Sequence, residues 1–119
     1  MPIKIKPWTN IHTQRYHDGN GRYVIGNLIS RAKELPVKEM PLEHLSLYDL
    51  SVDAGGSLRD FVRHMKAVMD ADLQCPIIMN EDGCVMDGRH RIAKALYLGL
   101  DTIKYVRFEE TPDPDYYVD

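Results

Sequence analysis

The chain has 119 residues, 44% hydrophobic and 28% charged, with a net charge of −3. That length predicts one domain with a modest core, and no apolar run approaches the ~18 residues of a membrane span, so a soluble chain is expected. The opening MPIKIKPW is basic but leads into no apolar segment, which argues against a secretory signal and for the cytoplasm.

Residues 1–23 contain KPWTN and HDGNGRY, and the run Asp18-Gly19-Asn20-Gly21 predicts an irregular or hairpin-containing entry segment. Over residues 23–35, Val24, Ile25, Leu28, Ile29 and Ala32 recur at helical spacing, predicting a helix that ends before Pro36. In PVKEMPL, residues 36–42, Pro41 restricts the segment to an edge strand or an extended stretch. A loop follows. Ser57 is the expected N-cap of a helix over residues 57–72, with Asp60 at the capping-box position. Its Leu58, Phe61, Val62, Met65, Val68 and Met69 form one apolar face, expected in the core, with Arg59, Arg63, Lys66 and Asp70 outward. CPIIM, NEDG and CVMD read as strand, tight turn and returning strand. Residues 88–98 then predict a helix closed by Gly99, and TIKYVRF a last strand. The acidic end EETPDPDYYVD is expected to be a mobile tail or a docking strip. The order predicts an α+β fold, a small mixed sheet flanked by helices.

Charge is distributed unevenly. Residues 1–38 carry seven Lys or Arg against two acids, and residues 39–119 carry eight against sixteen. The basic third suits either nucleic acid or an acidic partner, or is an ordinary solvated surface. Trp8, Tyr16 and Tyr23 in that third either stack bases or fill a core. Cys75 and Cys84 fall at opposite ends of one predicted hairpin, so both are expected to be reduced and mostly buried. His12, His17, His44, His64 and His90 are scattered, without zinc spacing; His44 and His64 are expected to be structural or exposed.

The stretch CVMDGRHRIAKAL, residues 84–96, carries the most chemistry. A strand ending at Asp87 and a helix starting at Gly88 or Arg89 would aim free N–H groups and a positive dipole end at one point, an anion site. Gly88 permits close approach, Arg89 and Arg91 add donors matched to phosphate oxygens, and His90 can donate to a phosphate or move a proton. Asp87 has two readings: its carboxylate caps the helix, or it holds Mg²⁺ or serves as a base in phosphoryl transfer.

Residues 35–110 resemble the ParB/sulfiredoxin superfamily. The resemblance is carried by EMPLEHL before a loop and helix, by CPIIMNEDGCVMDGRHRIAKAL as hairpin plus helix, and by LDTIKYVRF as the closing strand. It implies a ParB/sulfiredoxin-like fold in which the turn into the helix binds nucleotide phosphates. Sulfiredoxin carries Gly-Gly-Cys-His-Arg at this turn; His90 and Arg91 match, but Arg89 replaces the nucleophilic Cys and removes sulfinic-acid repair. ParB carries Gly-Glu-Arg-Arg beside its CTP, of which Arg91 matches the last residue, and no helix-turn-helix region follows residue 110 here. A variant with Asp-Gly-His-His-Arg, found in members that include a free-serine kinase, matches at Asp87, Gly88, His90 and Arg91. Glu39 and Glu43 fall in the segment that borders the site in the superfamily, where one of them could be a base or a metal ligand, or a plain surface carboxylate.

Residues 1–34 are therefore expected to be an N-terminal extension with one helix packed on the core, 35–110 the ParB/sulfiredoxin-like domain and 111–119 an acidic tail. The leading expectation is nucleotide or phosphate binding, with ATP, ADP or CTP held by Gly88, Arg89, His90 and Arg91. Asp87 and His90 would be the catalytic pair in Mg²⁺-dependent phosphoryl transfer or hydrolysis, with Asp87 or Glu43 as metal ligand. One alternative is a ParB-like nuclease or DNA-binding protein. Another is a non-enzymatic plasmid or phage adaptor that meets a protein partner through residues 1–34 or the tail.

Overall fold

The computed structural model describes residues 2–8, 14–51 and 56–119; His12 and residues 52–55 of the loop before Ser57 lie outside them. Strands β1 (Arg15–Asp18) and β2 (Gly21–Val24) form the expected hairpin around Gly19-Asn20, with Asp18 opposite Gly21. Helix α1 (Ile25–Ala32) follows directly, burying Ile25, Leu28 and Ala32. Strand β3 (Lys38–Pro41) leads into a single 3-10 turn at Leu42–His44. Helix α2 (Leu58–Asp70), strands β4 (Ile77–Met79) and β5 (Val85–Asp87), helix α3 (Arg89–Leu98), and strands β6 (Thr102–Arg107) and β7 (Tyr116–Tyr117) complete the chain.

The larger sheet has the order β3-β6-β4-β5 and is mixed: β4 runs parallel to β6, while β3 against β6 and β4 against β5 are antiparallel. Pro41 sits on an edge strand, where its missing N–H costs no ladder bond. The sheet carries core on both faces, because its strands alternate. On one face Ile78, Met86, Val106 and Phe108 pack with Tyr23, Ile25, Leu28 and Ala32. On the other, Ile77, Met79, Val85 and Ile103 pack with Ile92 and Ala95 of α3 and with Leu42 and Leu45. Leu28, Ile77 and Met86 are the largest fully buried side chains, each contributing roughly 1.5–3 kcal/mol of apolar burial. The architecture is a compact α+β fold in which mixed strands are flanked by helices.

Helix α2 departs from expectation. Ser57 is its N-cap, accepting from the Asp60 N–H at 3.0 Å, but its apolar face is not in the core. Leu58, Phe61, Met65 and Met69 are 81%, 52%, 51% and 57% exposed, while the helix buries His64 and Ala67. The reason lies in the layers. The sheet face on this side is already covered by α3, so α2 packs on α3, and small Ala67 with flat His64 form the contact side. Both cysteines are exposed as well. Cys75 precedes β4 and Cys84 precedes β5, each outside the strand residues that the sheet buries.

The acidic tail folds back on the N-terminal hairpin. β7 pairs with β2, the Tyr23 hydroxyl donates to the Pro112 carbonyl at 2.7 Å, and the Asp115 carboxylate accepts from the Val24 N–H at 2.7 Å and from Arg31 at 3.0 Å. The uneven charge of the sequence is thus partly spent within the molecule. No helix among the described residues is long and apolar enough to cross a membrane.

Candidate functional site

The turn from β5 into α3 is built on Gly88. Its φ of +115° lies in the region that favours glycine, and a Cβ there would stand 2.5 Å from Ile77 Cγ2 on the neighbouring strand. Gly88 is the N-cap residue, and no side chain among the described residues caps the helix. The first-turn N–H groups of Arg89, His90 and Arg91 therefore start a helix whose positive end carries no carboxylate cap from the described residues. At the other end Gly99 takes φ +72° and closes α3 as expected.

Asp87 does not cap α3. Its Oδ2 accepts from Arg91 at 2.9 Å, an i,i+4 ion pair in which both side chains are more than four-fifths buried. The carboxylate orients a guanidinium instead of occupying the helix end. Three consecutive helical residues point in different directions, and each of the basic trio meets a different surface. Arg91 returns to Asp87. Arg89 lines a cavity of 160 Å³ with Leu47, Leu50, Ile92, Ala93 and Leu96. The Nε–H groups of both arginines are buried without a hydrogen-bond partner among the described residues.

His90 turns to α2. Its Nε2 lies 2.8 Å from His64 Nδ1, and the two rings meet end to end, 25° from parallel with their centroids 5.1 Å apart. His64 is 8% exposed, and its remaining Nε2 has no partner among the described residues. Trp8 stacks on His64 at 4.6 Å, and the Arg63 guanidinium lies 4.3 Å over Trp8. The column is fixed from outside: the Trp8 N–H donates to the Arg63 carbonyl at 3.1 Å, and Lys66 donates to the Ile5 carbonyl at 2.6 Å. Trp8 and His64 are the site's unforeseen members. A lone His beside Ala67 on an apparently polar side of a helix gave no signal, and its partner lies 26 residues away.

A nitrogen-to-nitrogen hydrogen bond needs one donor and one bare lone pair, so the two imidazoles cannot both be protonated while it stands. Burial holds the His90 pKa below its ordinary 6.5, and the neighbouring His64 pushes the same way, against Asp87. The unfolded chain therefore binds more protons between the lowered value and 6.5, so stability rises with pH across that window and is lost as pH falls through it. The melting temperature is expected to fall as pH is taken from about 7.5 to below 6.5, and His90→Gln to flatten that dependence. A wild-type profile flat across the window contradicts this account.

Of the other residues singled out in the sequence, Glu39 and Glu43 are exposed, on β3 and on the 3-10 turn. No hydrogen bond or ion pair joins either to the turn among the described residues, and His44 is exposed beside Glu43. No group of three or more His, Cys, Asp or Glu placed to hold a metal occurs among the described residues. Asp87 offers Oδ1 alone, which suits an ion arriving on phosphate oxygens better than one caged by protein. Comparison with family models, with curated proteins and with solved structures gives no match for this chain.

Proposed function

We propose that the chain is a ParB/sulfiredoxin-like phosphate-binding domain whose ligand is a nucleotide held at the start of α3. The observation that carries this reading is a helix start that no described side chain caps, beside two arginines whose Nε–H groups are buried and have no partner among the described residues. Buried donors without partners cost about 1–3 kcal/mol each, and a phosphate oxygen that reached either of them would recover part of that cost. Gly88, through the close approach of its backbone, and the N–H groups of Arg89, His90 and Arg91 form the cradle. The cavity beside Arg89 has an apolar wall and matches the ~150 Å³ that accepts one benzene-sized ring, so it would take a base or part of one while the phosphates meet the helix.

Mg²⁺ bridging the phosphates would neutralise their charge, and Asp87 Oδ1 is the oxygen that this chain would offer it. Asp87 would also keep Arg91 aimed, and His90, neutral near pH 7, would donate to or accept from a phosphate oxygen. The nuclease alternative draws less support, because Arg31 of the basic third is engaged by Asp115.

The test uses Trp8, the sole tryptophan, which stacks one ring away from His90. Titration with ATP, ADP and CTP, with and without Mg²⁺, is expected to change Trp8 fluorescence saturably for at least one nucleotide. Arg89→Ala should weaken that binding at least ~10-fold, in line with loss of a charged hydrogen bond of about 1.5–3 kcal/mol. Absence of saturable binding for all three by calorimetry overturns the proposal.

A further inference from the structure

We propose that His64 is a positioning residue for His90: its Nδ1–H donates to His90 Nε2, which fixes the proton of His90 on Nδ1, where a phosphate oxygen can accept it. The role rests on the phosphate reading for its ligand; the direction of the hydrogen bond is a property of the free chain. His64 is the buried titratable group that the phosphate cradle leaves without a task. It comes from α2, is 8% exposed, and spends one ring nitrogen on His90 at 2.8 Å, while its Nε2 has no partner among the described residues. Its own place is fixed: Trp8 stacks on it at 4.6 Å with the planes 21° apart, Arg63 lies over Trp8, and α2 packs on α3. An imidazole held this firmly orients the ring it bonds, because occupying one nitrogen of a histidine sets what the other can do.

Chemistry decides which nitrogen donates. The bond holds one proton, so one ring gives an N–H and the other a bare lone pair. If His90 Nε2 carried the proton, its Nδ1 would be a bare acceptor, and phosphate oxygens, which are acceptors too, would be repelled. If His64 Nδ1 carries it, His90 Nε2 is the acceptor and the neutral ring keeps its single proton on Nδ1, a donor. His90 is half-buried, and no hydrogen bond among the described residues takes that Nδ1. Burial, which lowers its pKa, keeps the ring neutral. On the other side of the bond, His64 then buries a bare Nε2 lone pair instead of an N–H without an acceptor, and orphaned N–H groups are the rarer of the two in protein interiors. So held, His90 steadies phosphate charge and is not the base of a phosphoryl transfer.

The test compares variants that a packing role and a positioning role rank in opposite order. His64→Phe keeps a ring against Trp8 and loses the N–H, whereas His64→Asn gives up the ring and places amide N–H groups where Nδ1 stood. Calorimetry of the full chain with the tightest-binding of ATP, ADP and CTP, with Mg²⁺, is expected to show His64→Phe weakened roughly fivefold or more and His64→Asn within about twofold of wild type. Urea unfolding of the same variants is expected to rank them the other way. Ring-nitrogen NMR spectra of the wild type without nucleotide, at about pH 7.5 where the ring is neutral, should show His90 protonated on Nδ1 and bare on Nε2. In His64→Phe that proton should shift toward Nε2. Wild type with His90 protonated on Nε2 overturns the proposal, as does nucleotide binding that follows stability, with His64→Phe above His64→Asn. A wild type that binds none of the nucleotides overturns the phosphate reading and with it the ligand; the spectra, recorded without nucleotide, decide the direction of the bond in either case.

Discussion

Gly88→Ala is expected to destabilise the fold by about 3 kcal/mol or more, from two costs at one atom. The first is conformational: φ +115° is a region that L side chains rarely adopt, worth on the order of 1–3 kcal/mol. The second is steric. The new Cβ would lie 2.5 Å from Ile77 Cγ2, 2.8 Å from Ile77 Cβ and 3.1 Å from Ile77 Cα. Ile77 is fully buried on β4 between β5 and β6, so it has no room to swing aside, and its Cα belongs to the sheet backbone. Relief requires β5 and the start of α3 to move away from β4, and that shift would displace the Arg89–Arg91 N–H groups. Urea unfolding should show a lowered midpoint at unchanged slope. A loss below about 1 kcal/mol would mean that the turn relaxes into another conformation, contrary to the account given of this site.

How much of this was legible in the sequence depended on whether the signal was local. The hairpin of β4 and β5, the turn at Gly19-Asn20, the stop before Pro36, the Ser57 cap and the Gly99 cap are each written within a few neighbouring residues, and each stands where its residues predict. Pro41 at an edge follows from one missing N–H. What failed was orientation. The apolar stripe of α2 has the period of a core helix, but periodicity reports only that a face wants cover, not which surface covers it. Here α3 already occupied the sheet, and the face turned inward is set by Ala67 and His64. The same limit applies to Asp87. An Asp before a helix is a favoured cap by type, yet Arg91 lies one turn along at i,i+4 and takes the carboxylate. The tail was readable as acidic but not as the strand partner of β2, which lies more than ninety residues earlier.

Arg91→Met is expected to cost about 2 kcal/mol of stability, and the double variant Arg91→Met/Asp87→Asn to recover at least half of it. Removing one member of a fully buried ion pair costs about 3–5 kcal/mol because the other charge is left without a partner. The Asp87 and Arg91 side chains are 16% and 18% exposed, so water reaches the remaining carboxylate and the cost is discounted accordingly. The double variant removes both charges at nearly constant volume, which is why it should outlast the single. The two single variants also separate the roles of Asp87. If its carboxylate acts only by aiming Arg91, Asp87→Asn and Arg91→Met weaken nucleotide binding alike, with or without Mg²⁺. If Oδ1 also receives a phosphate-bound ion, Asp87→Asn removes the Mg²⁺ dependence of binding while Arg91→Met keeps it. Calorimetric titrations of both variants beside urea unfolding distinguish these outcomes. Stability unchanged in Arg91→Met would show that the guanidinium is not held by Asp87 in solution, and the oriented donor on which the phosphate cradle depends would be lost with it.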